Sequence, residues 1–278
     1  MSDNASNARR AERRAAPKPA RIPSGDRPAY SPGEGLLSTR GLSLKFGGVV
    51  AADAIDFDLM PGERLAVVGQ NGAGKTTFIN ICTGYLKADG GQVFFDGSEV
   101  TGQSPRAITR RGLGRSFQLP QVFTEHTVRE CLLLAASAVK QRHGFLRPLA
   151  QAVDADEVDA TLELLQLHPR AHDLAGALPE GQRKLLDVAM ALVLRPKLMI
   201  MDEPTSSVSS DEKHGLMAVL MKALDERQVT SIFVEHDIDI VRRYATRLAA
   251  WIAGKIAADG APDEVLRDPV VVKNVIGE

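Results

Sequence analysis

The period of the hydrophobic pattern changes several times along the chain. Residues 42–46 and 55–59 place an apolar residue at every second position, which is the period of a strand with one buried face. Residues 65–68 are continuously apolar, as expected of a strand buried on both faces. After Thr76 the apolar residues recur at helical spacing. The pattern predicts two half-buried strands, a central strand and then a helix.

Turn and cap residues predict shorter elements further along. Residues 93–95, followed by Asp96-Gly97, predict the first half of a hairpin. Ser104-Pro105 predicts the start of a short helix that Gly112 ends.

Beyond Gln118 the pattern becomes helical. Thr127 and Glu130 have the spacing of a capping box before an apolar stretch, and residues 158–167 again show helical periodicity. We therefore predict a helical subdomain at about residues 119–190.

Strands and helices then alternate to the end of the chain. Strands are predicted at 198–201, 231–234 and 248–252, with helices between them. This alternation predicts an α/β fold whose mainly parallel sheet binds its ligand at the carboxyl ends of the strands.

Composition narrows the class of protein. The 278 residues, 44% hydrophobic with a net charge of −1, suit one substantial α/β domain and give no sign of a nucleic-acid partner. Because no run of about 18 apolar residues occurs, the chain is not expected to cross a membrane. Cys82 and Cys131 fall in apolar helical patterns and are expected to be reduced, buried thiols.

Residues 1–35 differ in composition from the rest of the chain. They contain seven Lys or Arg against four Asp or Glu and show no apolar periodicity. This predicts a disordered basic tail, without the apolar stretch of a signal peptide. Its two alternative roles are a solvated leader and a basic arm that binds anionic lipid or a membrane partner.

The segment after the central strand has the pattern of a phosphate-binding P-loop. It reads Gly-Gln-Asn-Gly-Ala-Gly-Lys-Thr, and glycines at these positions let backbone N–H groups approach phosphate oxygens at a helix N-terminus. Lys75 is expected to reach the β- and γ-phosphates, Thr76 to bind Mg²⁺ and Thr77 to lie near the α-phosphate. The predicted phosphate-binding residues are Gly69, Gln70, Asn71, Gly72, Ala73, Gly74, Lys75, Thr76 and Thr77.

An acidic pair follows the predicted strand 198–201. Asp202 suits the Mg²⁺ shell, and Glu203 is placed to polarise an attacking water. The alternative is an acidic helix cap, which can follow any apolar strand. The long separation from Lys75 leaves room for the helical subdomain between them.

Leu178-Pro179-Glu180-Gly181-Gln182 resembles the signature motif of ATP-binding cassette (ABC) ATPases, and the resemblance covers about residues 36–278. It implies a P-loop NTPase fold with a mainly parallel core sheet, an N-terminal antiparallel β subdomain and a helical subdomain. It also implies hydrolysis of ATP with Mg²⁺, coupled to transmembrane transport. Two such domains would enclose two ATP molecules, each signature facing the other domain's P-loop, so Pro179, Glu180, Gly181 and Gln182 are predicted nucleotide contacts.

The resemblance also implies roles for three single residues. Phe46 resembles the aromatic residue that stacks on adenine, although it also completes a strand alternation. Gln118 resembles the glutamine that contacts Mg²⁺ and water, in a loop that touches the transmembrane partner. His236 resembles the histidine that contacts the γ-phosphate. The predicted catalytic set is therefore Glu203, His236 and Gln118, and the predicted metal set is Thr76, Gln118 and Asp202.

Within the family, residues 45–51 and 275–278 resemble an ATPase subunit of branched-chain and hydrophobic amino acid importers. Transporters of urea, amides and small aromatic acids have similar subunits. The resemblance implies permease subunits, a second ABC ATPase and, indirectly, a periplasmic or extracellular substrate-binding protein as partners. It favours a heterodimer over a homodimer and a peripheral position on the cytoplasmic face of the bacterial inner membrane.

Two positions depart from the family pattern. Pro179 replaces the usual signature Ser and supplies neither its hydroxyl nor its N–H. Ser209 replaces an acidic residue and, with Glu212, is predicted to form a capping box for a helix starting at Asp211. The alternatives to a transport ATPase are a catalytically weak regulatory subunit and a soluble non-transport ABC ATPase. The single cassette and the absence of sustained heptads favour transport over the latter.

Overall fold

The computed structural model describes residues 34–137 and 154–277. Almost all of the predicted basic tail, residues 1–35, lies outside this part of the chain.

A four-stranded antiparallel sheet is formed by the first part of the described chain. Its strands are β1 (Leu37–Phe46), β2 (Val49–Leu59), β4 (Gly90–Phe95) and β5 (Ser98–Glu99), in the order β2-β1-β4-β5. The β1–β2 hairpin pairs Leu37 with Leu59 at one end and Phe46 with Val49 at the other. The predicted alternating strands and the predicted β4 hairpin are confirmed.

A six-stranded sheet forms the centre of the molecule. Its strands are β3 (Arg64–Gly69), β6 (Leu113–Ser116), β7 (Leu198–Asp202), β8 (Thr230–Val234), β9 (Arg247–Ile252) and β10 (Lys255–Gly260), in the order β10-β9-β3-β8-β7-β6. All neighbours are parallel except β10, which pairs antiparallel with β9. The mainly parallel core sheet is confirmed, whereas β6 and β10 were not predicted.

The helices are α1 (Lys75–Cys82), α2 (Pro105–Arg110), α3 (Val128–Ser137), α4 (Ala155–Leu164), α5 (Glu180–Leu192), α6 (Ser210–Glu226), α7 (Ile238–Tyr244), α8 (Pro262–Val265) and α9 (Pro269–Val271). Short 3₁₀ turns cover His168–Arg170 and Ala175–Ala177, and Val272–Ile276 forms a π-helical turn. Helices α3 and α4 lie within the predicted helical subdomain, and α5 begins within it and ends two residues beyond it. Residues 138–153 of that range lie outside the described residues, and its extent stays a prediction. No described helix is both long and apolar enough to span a bilayer.

Of the two predicted capping boxes, one is confirmed and the other is wrong. Before α3, the Thr127 N–H donates to the Glu130 carboxylate at 2.8 Å and the Glu130 N–H donates to the Thr127 hydroxyl at 3.2 Å, which confirms the capping box. The capping box predicted for Ser209 is wrong: helix α6 starts at Ser210, and the Ser209 hydroxyl contacts the Glu212 carboxylate at 2.8 Å instead of a backbone N–H.

Two hydrophobic cores cover the two faces of the central sheet. Alternate strand residues point to opposite faces, so Ala66 and Met199 belong to one core while Leu65 and Leu198 belong to the other. The first core contains helices α3 to α7, and the second contains α1 and the antiparallel sheet. Cys82 and Cys131 are buried and free, as predicted. This layering places the loop between β3 and α1 at the carboxyl edge of the central sheet.

Candidate nucleotide-binding site

The P-loop joins the carboxyl end of β3 to the first turn of α1. Gly72 and Gly74 have φ angles of 80° and 103°, a region that favours glycine. A Cβ at Gly74 would lie 2.2 Å from the Ala51 carbonyl oxygen, and one at Gly69 would lie 2.4 Å from that of Trp251. The neighbouring backbone therefore leaves no room for a side chain at Gly74 or Gly69.

Lys75 occupies the interior of this loop. Its ammonium donates to the carbonyl oxygens of Gly69 at 2.5 Å and Gln70 at 3.0 Å. Burial lowers the pKa of Lys75, and the nearby charges of Glu203 and Asp202 oppose that shift. Gln70, Asn71, Gly72 and Thr76 are exposed, Thr77 is half-buried, and Ala73 is buried. The loop therefore has the Lys75 ammonium in its interior and solvent-accessible residues on its outer side.

Glu203 is held between two other predicted catalytic residues. The Gln118 Nε2 donates to its Oε2 at 2.8 Å, and the His236 Nε2 lies 3.2 Å from its Oε1. These residues follow β6, β7 and β8, three neighbouring parallel strands. The structure therefore brings Gln118, Glu203 and His236 together at the edge of the sheet where the P-loop lies.

Asp202 is buried beside Arg115. The Arg115 Nη2 lies 3.6 Å from the Asp202 Oδ2. Burial raises the pKa of Asp202, and the Arg115 charge opposes that shift. Arg115 also donates to Asn80 at 2.7 Å and to Thr83 at 2.9 Å, which connects the acidic residue to α1. Arg115 was not predicted from the sequence. The only signal available for it was a charged residue three positions before Gln118.

Two residues on α5 hold the loop that carries Gln118. The Lys184 ammonium lies within hydrogen-bond distance of the carbonyl oxygens of Gln118 and Glu203. The Asp187 carboxylate accepts from the N–H groups of Phe117 at 3.0 Å and Gln121 at 2.9 Å. Burial raises the pKa of Asp187 to about 6, against the two hydrogen bonds and the Lys184 charge. Burial lowers the pKa of Lys184, while surrounding carboxylates raise it. Neither residue was predicted.

Glu235 supports the backbone on both sides of the cluster. It accepts from the N–H of Thr205 at 3.0 Å and from that of His236 at 3.3 Å. Burial raises the pKa of Glu235, although these hydrogen bonds oppose the shift. The acidic residue directly before His236 was visible in the sequence but was given no role. It fixes the direction in which the chain leaves β8.

Phe46 lies at the end of the hairpin whose second strand touches the P-loop. Its side chain is 51% exposed. Ala51, five residues after Phe46 on β2, lies against the P-loop, because a Cβ at Gly74 would contact its carbonyl oxygen. On the other side of the loop, the Gly254 N–H donates to the Ala73 carbonyl oxygen at 2.9 Å. An accessible aromatic ring on this hairpin suits base stacking, and the adenine role stays a prediction.

The signature segment forms the start of α5. Pro179 is the N-cap residue and provides no side-chain hydrogen bond. Glu180 pairs with Arg183 at 2.5 Å, Gly181 faces Leu216, and the buried Oε1 of Gln182 has no protein partner. Among residues 34–137 and 154–277, no hydrogen bond or ion pair connects this segment to the P-loop. The nucleotide contact of this segment stays a prediction.

The residues present fit a nucleotide with Mg²⁺. The inward Lys75 and the glycines crowded by backbone form a cradle with no space for side chains. The described part of the chain contains no group of three acidic, His or Cys residues able to hold a metal by itself. Mg²⁺ usually takes one or two protein ligands, completing its shell with phosphate and water. Thr76 and Asp202 fit that kind of shared site.

A P-loop beside an acidic pair and a histidine, at the carboxyl edge of a parallel sheet, defines a nucleoside-triphosphate-binding domain. Residues 52–206 match the family described as "ABC transporter". The chain belongs to the ABC transporter family, which confirms the predicted family and an ATPase of that class.

Curated relatives extend the similarity over most of the chain. A "Probable branched-chain amino acid transport ATP-binding protein LivG" of Archaeoglobus fulgidus is 35% identical, over 87% of this chain and 95% of the relative. The "High-affinity branched-chain amino acid transport ATP-binding protein BraF" of Pseudomonas aeruginosa is 32% identical, over 87% and 98%. The corresponding LivG of Escherichia coli K12 is 30% identical over the same shares.

Solved structures confirm the predicted P-loop NTPase fold. A nucleotide-free ATP-binding cassette from an ABC transporter superposes with a TM-score of 0.75 at 31% identity, over 86% of this chain and 97% of that chain. An ATP-binding cassette of an ABC transporter in its ADP conformation superposes with a TM-score of 0.74 at 32% identity, over 87% and 99%.

Proposed function

We propose that this chain is the ATP-hydrolysing, energy-coupling subunit of an ABC importer. The substrate class is branched-chain or other hydrophobic amino acids, or related small organic acids or amides. The relatives named for branched-chain amino acid transport support the substrate class. The position of Glu203 between Gln118 and His236 supports hydrolysis.

Each residue of the site has a proposed part in hydrolysis. Lys75 and the backbone N–H groups of the P-loop bind the phosphates, and Thr76 and Asp202 hold Mg²⁺. Mg²⁺, when bound, neutralises charge on the β- and γ-phosphates. Glu203 accepts a proton from the attacking water, because each carboxylate oxygen keeps acceptor capacity beyond its present hydrogen bond. Gln118 contacts Mg²⁺ and orients that water, and His236 contacts the γ-phosphate.

A second cassette completes the site in this proposal. Within the signature segment, residues 178–182, Pro179 is exposed and the next three residues are half-buried, which supports contact with the nucleotide of another subunit. The partners are a second ABC ATPase, with a heterodimer favoured over a homodimer, and permease subunits that contact the Gln118 loop. A periplasmic or extracellular substrate-binding protein acts indirectly, and the chain lies on the cytoplasmic face of the bacterial inner membrane.

The variant Glu203→Gln tests the proposed hydrolysis. Glutamine keeps the size of the side chain but cannot take the proton from water, so we expect ATP binding to remain within about twofold and kcat to fall about a hundredfold or more. Fluorescent-nucleotide titration and phosphate release measure the two quantities. The matched control is Glu226→Gln, an exposed residue on α6. Undiminished hydrolysis in the Glu203→Gln variant would refute the role of Glu203 as base.

A further inference from the structure

Lys184 is a buried cation that reaches three separate segments of the chain. It lies on α5, two residues after the signature segment, and its residue exposure is 4%. Its ammonium lies 3.3 Å from the carbonyl oxygen of Gln118 and 3.1 Å from that of Glu203. The third contact, at 2.9 Å, is the hydroxyl of Ser206, before α6. An ammonium has three N–H donors, and each has an acceptor here.

The three acceptors belong to the backbone that directs the catalytic side chains. Gln118 and Glu203 accept through their own carbonyl groups, so the ammonium fixes main-chain positions directly beside both side chains. The Ser206 hydroxyl also donates to the Glu203 carbonyl at 3.0 Å. A cation is costly to bury unless it is fully hydrogen-bonded, so this arrangement holds the segments at fixed separations.

Asp187 holds the same loop one turn further along α5. It accepts from the N–H groups of Phe117 and Gln121, on either side of Gln118. One helix face therefore fixes the Gln118 loop through two side chains, but only Lys184 also contacts the Glu203 backbone. Lys184 therefore links α5 directly to the backbone of Glu203.

We propose that Lys184 is a positioning residue for ATP hydrolysis, which holds Glu203 and Gln118 in register from the helix that carries the signature segment. This inference rests on the proposed function. Docking of a second cassette at residues 178–182 then acts on the geometry of Glu203 through a single side chain. Because Lys184 touches backbone atoms and Ser206 rather than the nucleotide, its loss affects turnover and leaves nucleotide affinity unchanged.

The test compares full-length Lys184→Met and Lys184→Arg with the unsubstituted chain, each assembled with its partner cassette. We expect Lys184→Met to lower kcat about tenfold to a hundredfold, because the displaced Glu203 carboxylate is no longer aligned with the attacking water. KM for ATP should change by less than about twofold. Lys184→Arg keeps the positive charge, but its guanidinium is larger and directs its donors in one plane, so it should recover only part of the loss. The matched control, Lys222→Met, removes an exposed cation from α6 and should leave both constants unchanged.

Two results would overturn the inference. One is a kcat of Lys184→Met within about twofold of the unsubstituted chain, and the other is a KM that rises in proportion to the loss of kcat. If Lys184→Met does not fold, Ser206→Ala, which removes one acceptor, must lower kcat with KM unchanged; unaltered kcat in that variant also overturns it. Failure of the unsubstituted chain to hydrolyse ATP when it is assembled with its partner cassette refutes the proposed function instead.

Discussion

Glu203 has a left-handed backbone conformation, with φ of 51°, directly after β7. A residue other than glycine in this region costs about 1–3 kcal/mol, and such strain concentrates at functional sites. The surrounding hydrogen bonds hold it: the Glu203 N–H donates to Val234 at 3.1 Å, and Lys184 and Ser206 donate to its carbonyl. Without that backbone turn, the carboxylate would not be directed between Gln118 and His236.

Asp187 gives the protein a pH-dependent stability at the single-residue level. Burial raises its pKa from 3.8 to about 6, so the native protein binds more protons than the unfolded chain between these values. Its contribution to the free energy of unfolding is therefore greatest at low pH and is lost as pH rises through about 6. A shift of about two pKa units corresponds to about 3 kcal/mol.

The variant Asp187→Asn removes this titration. We expect the difference in free energy of unfolding, unsubstituted minus variant, to fall by about 2 kcal/mol between about pH 4 and about pH 7. Urea denaturation at a series of pH values measures that difference, in which the titration of shared groups cancels. As a control, Asp211→Asn changes an exposed carboxylate at the start of α6. A difference that stays constant, or that rises with pH, would show that Asp187 is not a buried acid of raised pKa.

At the scale of elements, Pro179 leaves α5 without a side-chain N-cap and leaves the signature segment without its usual hydroxyl. Pro179 at the N-cap leaves the first N–H groups of the helix without a side-chain acceptor. A serine at this position would accept one of them and would restore the hydroxyl that the signature motif normally offers. This observation motivates a test of the alternative, a catalytically weak regulatory subunit.

The variant Pro179→Ser separates the regulatory alternative from full catalysis. We expect helix capping to add about 1 kcal/mol to the free energy of unfolding, measured by urea denaturation. If Pro179 weakens the facing ATP site, steady-state hydrolysis by the assembled ATPase pair should also rise. The matched control is Pro179→Ala, which removes the ring without adding a hydroxyl. Greater stability with unchanged hydrolysis would reject the regulatory alternative.

The elements that sequence reasoning recovered are those with a sustained local signal. Strand β3 is a continuous apolar run and α1 follows a motif that requires a helix, so both were predictable. Strand β6, Leu-Gly-Arg-Ser, shows neither alternation nor an apolar run; it exists because Leu113 pairs with Leu198 on a strand distant in sequence. Strand β10, most of whose residues are exposed or half-buried, likewise exists because it pairs with β9.

At the scale of the whole molecule, the same distinction separates the predicted site residues from the missed ones. Lys75, Glu203 and His236 could be found because motif position marks them. Arg115 and Lys184 were missed because their partners come from distant segments: Arg115 reaches Asn80 and Asp202, and Lys184 reaches residues after β6 and β7. Contacts of this kind are defined only when the sheet and helices assemble.

We expect that one chain alone does not enclose the nucleotide. The P-loop and the signature segment of the described chain share no hydrogen bond or ion pair, so the proposal requires a second cassette to close the site. We expect that the complex purified with the full-length Glu203→Gln variant, in the presence of ATP and Mg²⁺, contains two cassettes. We expect the second cassette to be a different chain, as the resemblance to branched-chain amino acid importer subunits implies.

Native mass spectrometry of that assembly measures both its composition and its bound nucleotide. Combining Glu203→Gln with Lys75→Ala should abolish ATP-dependent pairing, because the loop loses the cation that binds the phosphates, whereas adding Lys222→Met should leave pairing intact. A second polypeptide of different mass would establish the heterodimer, and two identical chains the homodimer. ATP retained by a single cassette, with no increase in mass, would contradict enclosure between two subunits and with it the proposed role of residues 178–182.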